Sequence, residues 1–321
     1  MKLVAVDLGG THARFALAEV EPGGRPTMGE ARKYKTADHP DLPAAWAAFA
    51  KDCGCDLPSA ASIAIAGPVE GELIRFTNSS WTIRPSTLAA DLGIDTVHLL
   101  NDFAAMAAAV RVLKDDELVY VGGPAGDLPD EGVTSIVGPG TGLGVAQLLR
   151  RNGKAIVLAT EGGHLDFAPL DPVEEKLLQR LRDRYRRVST ERIVSGPGLA
   201  NIYEALAASA GVAIVPVEDP VLWQAAIDGT NRLAASALDR FVMILGSVSG
   251  DLALAHGSNA VVLTGGLSNR IIDRIAGPLF NERFRAKGRF EGRMGHFPIR
   301  LAVHPDPGLL GAATAFGSDL D

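Results

Sequence analysis

Apolar and polar positions follow two rhythms along the first third of the chain. Short apolar runs that stop at Gly, Pro or Asn are typical of strands, whereas longer segments with apolar residues every three or four positions are typical of helices. The order is three strands, a helix, a strand, a second helix and a further strand, which indicates a mixed sheet. The predicted elements are strands at 2–8, 12–20, 31–36 and 61–66, helices at 42–52 and after Pro85, and a strand that ends at Asn101.

The middle of the chain begins the same pattern again. The apolar segment 134–137 enters a turn rich in Gly and Thr and leaves as another strand at 143–149, as the opening segment does around residues 9–11. A duplicated α/β lobe is therefore expected. The remaining predicted elements are helices at 171–187, 196–210 and 220–250, strands at 260–263 and 299–303, and a helix at 308–316.

Length and composition are those of an ordinary globular protein with two domains. The chain has 321 residues, 47% of them hydrophobic and 21% charged, whereas a single domain typically has about 100–150 residues. The formal net charge of −7 argues against a nucleic-acid partner, which normally requires a basic face. No segment predicts a membrane span or a signal peptide. Because Cys53 and Cys55 are the only cysteines, a reducing, cytoplasmic location is expected.

Two glycine-rich turns have the composition of anion cradles. They are Asp7-Leu8-Gly9-Gly10-Thr11 and Gly138-Pro139-Gly140-Thr141-Gly142. Because glycine has no side chain, the backbone N–H groups of such a turn can approach phosphate oxygens closely. Tight hairpin turns would use the same residues, so both interpretations stay open. The spacing excludes a G-x-x-x-x-G-K-[ST] loop, and a strand rather than a helix follows the second turn, which disfavours a dinucleotide-binding fold.

Asn101-Asp102 stands where a predicted strand meets a predicted helix. The apolar stretch 96–100 precedes the pair and the alanine-rich stretch 103–110 follows it. Open α/β sheets place their ligands at such junctions, so Asp102 is a candidate general base. Asp and Asn are also the preferred helix N-cap residues, and a capping role is the alternative interpretation.

A further polar group lies in the second half of the chain. Glu161 and His164 flank two glycines, and Glu191 follows in a separate segment. Carboxylates accept hydrogen bonds from neighbouring hydroxyl groups and imidazole can donate one, so these residues suit a polyol. Metal binding by His164 with Asp166 is a weaker alternative, because no third ligand stands at a characteristic spacing. For Glu191 alone, a charge at a helix N-terminus would suffice.

Taken together, these motifs resemble those of the bacterial glucokinases, a hexokinase-like family within the superfamily of actin and the heat-shock ATPases. The resemblance covers nearly the whole chain. Its carriers are Asp7-Leu8-Gly9-Gly10-Thr11 as first phosphate motif, Asn101-Asp102-Phe103 at the first connecting helix, Gly140-Thr141-Gly142-Leu143-Gly144 as second phosphate motif, Glu161-Gly162-Gly163-His164 as sugar motif, Thr264-Gly265-Gly266 as adenosine motif and 304–311 as second connecting segment.

The resemblance implies an α/β fold of two lobes, the actin-like ATPase (ribonuclease H-like) fold, in which each lobe is a mixed sheet with βββαβαβα order. It implies a small domain at 1–112 plus 305–321 and a large domain at 113–304. The implied activity is that of a hexose kinase that uses ATP and Mg²⁺ to convert glucose to glucose 6-phosphate. A cytoplasmic homodimer without a membrane or nucleic-acid partner is expected.

The resemblance also assigns roles to residues. Asp102 would act as the general base on the primary hydroxyl of the sugar, and Asp7 would hold Mg²⁺ through water. Sugar binding falls to Asn78, Asn101, Asp102, Glu161, His164 and Glu191. Nucleotide binding falls to Asp7, Gly9, Gly10, Thr11, Gly140, Thr141, Gly142, Gly265 and Gly266.

One departure from related families bears on metal content. The stretch 167–170 is Phe-Ala-Pro-Leu, where related sugar kinases and sugar-responsive repressors carry a cysteine-rich zinc motif, so zinc is not expected. Two alternatives to a glucokinase stay open. One is a kinase of another hexose or of an N-acetylhexosamine, and the other is a sugar or nucleotide sensor that performs no transfer.

Overall fold

The computed structural model describes residues 1–67, 69–76, 79–213 and 217–318. Contacts divide the chain into two compact units. Unit 1 comprises Met1–Lys114, Val157–Ala159 and His304–Asp321, and unit 2 comprises Asp115–Ile156 and Thr160–Val303.

The strands and α-helices of the described residues are numbered here in chain order. The strands are β1 (Lys2–Leu8), β2 (His12–Glu19), β3 (Thr27–Met28), β4 (Arg32–Lys35), β5 (Ala60–Ile65), β6 (Ile74–Arg75), β7 (Thr82–Ile83), β8 (Thr96–Asn101), β9 (Leu118–Gly122), β10 (Gly132–Pro139), β11 (Leu143–Arg151), β12 (Lys154–Thr160), β13 (Ala260–Leu263) and β14 (Ile299–Ala302). The helices are α1 (Leu42–Cys53), α2 (Leu88–Leu92), α3 (Asp102–Val112), α4 (Pro172–Arg184), α5 (Gly198–Ser209), α6 (Asp219–Ile227), α7 (Arg232–Ala255), α8 (Gly266–Arg270), α9 (Ile272–Ile275), α10 (Pro278–Arg285), α11 (Glu291–Met294) and α12 (Pro307–Ser318).

The sheet of unit 1 is mixed. Its strand order is β3-β2-β1-β5-β8, and β4 also pairs with β2. The β1–β2 pair is antiparallel, whereas β1–β5 and β5–β8 are parallel. In this register Leu8 lies beside Ile65, which lies beside Asn101. The carboxyl ends of the three parallel strands therefore form one edge of the sheet.

Both faces of this sheet are covered, which explains why β1 is an unbroken apolar run. Successive side chains of a strand point to opposite faces. Val4 and Val6 belong to a core with residues of α1 and α2, such as Trp46. Leu3 and Ala5 belong to a second core with residues of α3 and α12. The β1 strand is thus buried on both sides and fixes the position of the turn that follows it.

The sheet of unit 2 repeats this arrangement. Its order is β12-β11-β10-β13-β14-β9. The β10–β11 pair is antiparallel, β10–β13 and β13–β14 are parallel, and β9 adds an antiparallel edge next to β14. Val137, Leu263 and Leu301 are neighbours in register. The expected duplication of the α/β lobe is therefore confirmed, and the structure is the mixed, two-lobed α/β architecture that the sequence predicted.

The core of unit 2 is organised around α7. Its side chains Phe241, Leu245 and Leu252 share one apolar cluster with Val137 and Leu263 of the sheet. Among the described residues, α7 is the one helix that is long and apolar enough to cross a membrane. However, 67% of its most apolar window is buried within the structure, as is common for a core helix.

One predicted helix was wrong in detail, and some short strands were missed. The helix predicted at 220–250 is two helices, because the chain turns at Gly229 with φ of 70° and Asn231 then caps α7 by accepting a hydrogen bond from the Ala234 N–H. The strand predicted at 31–36 is confirmed as β4, whereas the two-residue strand β3 before it was not predicted; both pair with β2. The short β6–β7 hairpin and β9 were not predicted, since strands of two to five residues leave little periodicity.

Candidate active site

The carboxyl edge of the unit 1 sheet brings together the first glycine turn and the Asn101-Asp102 junction. The turn follows β1, and the junction follows β8, two strands away in the same parallel set. Ligands of open α/β sheets bind beyond such an edge. The structure therefore places Asp7, Gly9, Gly10, Thr11 and Asp102 on one side of unit 1.

The first glycine turn is a tight hairpin held from one side by Thr36. The Gly9 N–H donates to the His12 carbonyl at 3.0 Å. The Thr36 hydroxyl donates to the Gly10 carbonyl at 2.9 Å, and its N–H donates to the Thr11 carbonyl at 3.0 Å. These hydrogen bonds occupy the carbonyl groups of Gly10, Thr11 and His12, and a tight hairpin of this kind is compatible with a cradle. Thr11 itself is exposed.

Asp7 lies at the end of β1 and is largely buried. Its Oδ2 accepts a hydrogen bond from Arg14 at 3.0 Å, and the same guanidinium lies 3.8 Å from the Asp306 carboxylate. Burial raises the pKa of the Asp7 carboxyl, while the neighbouring Arg14 acts to lower it. The group thus combines two carboxylates around one cation, which leaves one negative charge when both acids are ionised.

Asn101 is the N-cap of α3. Its Oδ1 accepts hydrogen bonds from the N–H groups of Phe103 at 2.8 Å and Ala104 at 3.2 Å, and its Nδ2 donates to the Gly67 carbonyl at 3.1 Å. The capping interpretation is therefore correct for Asn101. Its side chain fixes the strand-to-helix junction.

Asp102 is the first residue of α3 rather than its cap. It is partly exposed, and its Oδ1 accepts a hydrogen bond from the Phe103 N–H at 2.9 Å. The N-terminal end of a helix favours a negative charge. The structure thus presents the carboxyl group of Asp102 at the sheet edge, on a junction that Asn101 caps.

The carboxyl edge of the unit 2 sheet brings together the second glycine turn and the adenosine motif. The turn follows β10, and Thr264-Gly265-Gly266 follows the adjacent parallel strand β13. The Gly140 N–H donates to the Gly142 carbonyl at 2.8 Å, and the Gly196 N–H donates to the Gly140 carbonyl at 2.7 Å. The N–H of Gly140 is therefore bonded within the turn, and its carbonyl is bonded to Gly196 outside the turn.

Glu191 contacts the backbone at the end of the second glycine turn. It belongs to the short 3-10 turn Thr190–Arg192. Its Oε2 accepts a hydrogen bond from the Leu143 N–H at 2.9 Å. A methyl group in place of the Gly142 hydrogen would collide with the same oxygen, so this close approach requires glycine. The carboxylate serves the backbone of the glycine turn, not the N-terminus of its own helical turn.

Glu161 and His164 lie beside this turn in unit 2. They flank the short 3-10 turn Gly162–His164, which packs against β11. His164 Nε2 lies 3.8 Å from Glu161 Oε2, with side chains 55% and 69% exposed. The Thr190 hydroxyl donates to the Gly163 carbonyl at 2.6 Å. Both predicted polar residues thus present solvent-accessible side chains next to the segment that carries Glu191.

The alternative of a metal site at His164 and Asp166 gains no support. Asp166 accepts a hydrogen bond from Arg187 at 2.7 Å. Across 1–67, 69–76, 79–213 and 217–318, no group of three or more His, Cys, Asp or Glu side chains could hold a metal ion. Asn78, the remaining predicted sugar ligand, lies outside the described residues.

Four residues of these two edges were not singled out from the sequence. Arg14 binds Asp7, and Asp306 lies near Arg14. Thr36 donates to the first turn, and Thr190 donates to the Gly163 carbonyl. Arg14 could have been found, because the hairpin register pairs it with Asp7. The other three act across the tertiary structure, and their spacing carries no local signal.

The chain is similar to known glucokinases over nearly its whole length. A family model described as Glucokinase matches residues 3–318. A glucokinase of Zymomonas mobilis subsp. mobilis is 52% identical over 318 residues, with 99% of this chain and 98% of the relative covered. A glucokinase of Stenotrophomonas maltophilia is 39% identical, with 99% and 96% covered.

Solved structures show the same fold. A glucokinase from an Antarctic psychrotroph superposes with a TM-score of 0.86 at 31% identity, with 98% of each chain covered. A ROK family glucokinase from Streptomyces griseus, solved in complex with glucose and AMPPNP, has a TM-score of 0.61 at 18% identity with 98% of each chain covered, which shows the fold alone. The actin-like ATPase fold expected from the sequence is thus confirmed, and on matches of this extent the chain belongs to the glucokinase family.

Proposed function

We propose that this protein is an ATP-dependent glucokinase, which transfers the γ-phosphoryl group of ATP to the primary hydroxyl of glucose. One observation carries the proposal: Asp102 opens α3 at the same sheet edge as Asp7 and the first glycine turn. Phosphoryl transfer to an alcohol needs a base for the nucleophile and charge stabilisation for the phosphates. The name of the 52% identical relative, a glucokinase, supports glucose as the acceptor.

Asp102 acts as the general base in this proposal. The proton of the primary hydroxyl moves to a carboxylate oxygen of Asp102 while the hydroxyl oxygen attacks the γ-phosphorus. Asn101 supports the step by fixing the junction through its bonds to Phe103, Ala104 and Gly67. Such transfers depend mainly on positioning, so the bonds of Asn101 contribute by fixing where Asp102 lies.

Glu161, His164 and Glu191 hold the hydroxyl groups of the sugar. The two carboxylates accept hydrogen bonds from hydroxyls, and the imidazole can donate one. The exposed side chains of Glu161 and His164 remain accessible to a ligand. Asn78 and Asn101 complete the proposed set of sugar-binding residues.

The glycine turns bind the phosphates of ATP, and Gly265 and Gly266 bind its adenosine part. Thr11 and Thr141 can add hydroxyl donors, and Gly9, Gly10, Gly140 and Gly142 allow close approach of the backbone. The donor set at Asp7 also fits Mg²⁺, which prefers carboxylate oxygens and keeps several waters. Asp7 would hold the ion through water, and bound Mg²⁺ neutralises charge on the phosphates.

The proposal extends to the organisation of the protein. The two domains are 1–112 plus 305–321 and 113–304, and the enzyme is a cytoplasmic homodimer with no nucleic-acid or membrane partner. Glucose and ATP are its substrates. A kinase of another hexose or of an N-acetylhexosamine is the second candidate, since the polar side chains of unit 2 suit any related polyol.

A coupled assay of ADP release tests the proposed substrate. Purified protein, ATP and Mg²⁺ are combined with glucose, mannose, fructose, N-acetylglucosamine or no sugar. Glucose is expected to give the highest kcat/KM, at least about tenfold above the other sugars, because pocket contacts typically discriminate to this degree. Preference for another sugar would reassign the substrate, and ADP release that no sugar stimulates would favour a sensor.

A further inference from the structure

The glutamate assigned to the sugar also holds the second glycine turn. Glu191 Oε2 accepts the Leu143 N–H at 2.9 Å, at the residue where the turn passes into β11. The absence of a side chain at Gly142 allows this oxygen to reach the backbone. Hydrogen bonds to a charged group are worth more than neutral ones. The conformation of the turn therefore depends on where this one carboxylate lies.

The turn has a second anchor that is independent of Glu191. The Gly140 carbonyl accepts the Gly196 N–H at 2.7 Å, and the Gly196 carbonyl in turn accepts the Trp223 indole N–H at 2.8 Å. Trp223 is 3% exposed, so this end of the turn is fixed to the core. The Leu143 end is fixed by a side chain, which can change rotamer more easily than backbone can move.

The sugar motif approaches the same point from the neighbouring segment. The Gly162–His164 turn packs on β11, and Thr190, next to Glu191 in the chain, donates its hydroxyl to the Gly163 carbonyl. A carboxylate offers about four acceptor positions. The bond from Leu143 uses one of them, so sugar hydroxyls can bind the same carboxylate without breaking that bond.

We infer that Glu191 is a positioning residue that couples the two substrates: a sugar that binds its carboxylate fixes the rotamer that holds the Leu143 N–H, and thereby orders the second glycine turn for the phosphates of the nucleotide. The inference rests on the proposed function. Coupling between two binding sites is reciprocal, so the nucleotide must also tighten the binding of the sugar.

Glu161 provides a matched control. It is the other glutamate assigned to the sugar, and it also lies in unit 2. Its side chain is 69% exposed and its described partner is His164, not the backbone of the glycine turn. Loss of the Glu161 side chain therefore removes its contact with His164 and its proposed contact with the sugar, and leaves the bond to Leu143 in place.

The test is calorimetric titration of AMPPNP with Mg²⁺, with and without saturating glucose. In the wild type, glucose is expected to lower the Kd of AMPPNP about tenfold, within the usual range of coupling. Glu161→Ala is expected to leave the Kd measured without glucose unchanged. Glu191→Ala is expected to raise that Kd about tenfold, as for loss of a bond to a charged group, and to abolish the effect of glucose. Glu191→Gln, whose neutral amide oxygen can still accept the Leu143 N–H in a weaker bond, should raise the Kd without glucose less than Glu191→Ala does and lose part of the coupling.

Each outcome decides the inference. A Kd without glucose that is the same in Glu191→Ala and the wild type overturns it, and so does an equal rise in Glu161→Ala. Where Glu191→Ala does not fold, Glu191→Gln carries the test, and full coupling in that variant overturns the inference. Faster amide hydrogen exchange at Leu143 in Glu191→Ala, but not in Glu161→Ala, supports it without any ligand.

A wild type that binds AMPPNP with coupling but does not phosphorylate glucose contradicts the proposed function only. A wild type that binds no AMPPNP contradicts both.

Discussion

Replacing Asp102 by asparagine is expected to lower kcat about 10³-fold, the usual contribution of a general base, while glucose binding changes less than about threefold. The substitution keeps the size of the side chain and an oxygen that can accept the Phe103 N–H, a bond that the Asp102 carboxyl group makes. The cap of α3 belongs to Asn101 and is untouched. The loss of turnover would then follow from the lost basicity. Steady-state kinetics and calorimetric binding of glucose measure the two effects.

Asp41→Asn is the matched control for this prediction. Asp41 caps α1 in the same unit, and its Oδ1 accepts the Ala44 N–H at 2.8 Å. Asparagine caps helices about as well as aspartate, so this variant should keep both turnover and thermal stability. Near-normal kcat in Asp102→Asn would remove Asp102 from the role of base, whereas an equal loss in Asp41→Asn would point to stability instead of chemistry.

Replacing Gly308 by alanine is expected to lower kcat/KM about 10²-fold through Asp7. Gly308 lies in the first turn of α12, and a Cβ at this position would come within 2.8 Å of the Asp7 Cγ. The Asp7 carboxylate or the start of α12 must shift to relieve this contact. A displacement of about 1 Å in catalytic machinery can cost about 10²-fold in rate. The dependence of kcat/KM on Mg²⁺ concentration is the second measurement, and more Mg²⁺ should be needed for half-maximal rate.

Gly317→Ala is the control in the same helix. A Cβ at Gly317 would lie 3.5 Å from its nearest neighbour, Val20 Cβ, which is an ordinary contact. Because alanine also has the higher helix propensity, this variant should be as active and at least as stable as the wild type. Normal kcat/KM in Gly308→Ala would show that the approach of α12 to Asp7 has no part in the reaction.

Much of the fold could be predicted because its signals are local. The apolar runs of β1, β5, β10 and β13 each end at glycine or a polar residue, and the repeated strand-turn-strand pattern indicated the duplicated lobe. The split between α6 and α7 was missed because both flanking segments are helical by pattern. Only the positive φ at Gly229 and the cap at Asn231 separate them.

The contacts of the candidate site residues could not be predicted from the sequence. The Asn101-Asp102 pair was singled out, yet the division of roles between a cap and an exposed carboxylate depends on where α3 begins. The bond between Glu191 and Leu143 joins residues 48 positions apart, and no periodicity brings such segments together. The Asp7–Arg14 pair is the opposite case, since the register of a hairpin follows from the length of its turn.

Phosphorus NMR of a single reaction mixture follows the transfer of a phosphoryl group from ATP to glucose. Purified protein is incubated with ATP, Mg²⁺ and glucose, and the resonances of ATP, ADP, inorganic phosphate and sugar phosphate are followed together. We expect a resonance of glucose 6-phosphate to grow at the rate at which ADP appears, with little inorganic phosphate. Growth of inorganic phosphate alone, or unchanged ATP in the presence of glucose, would contradict the proposed transfer.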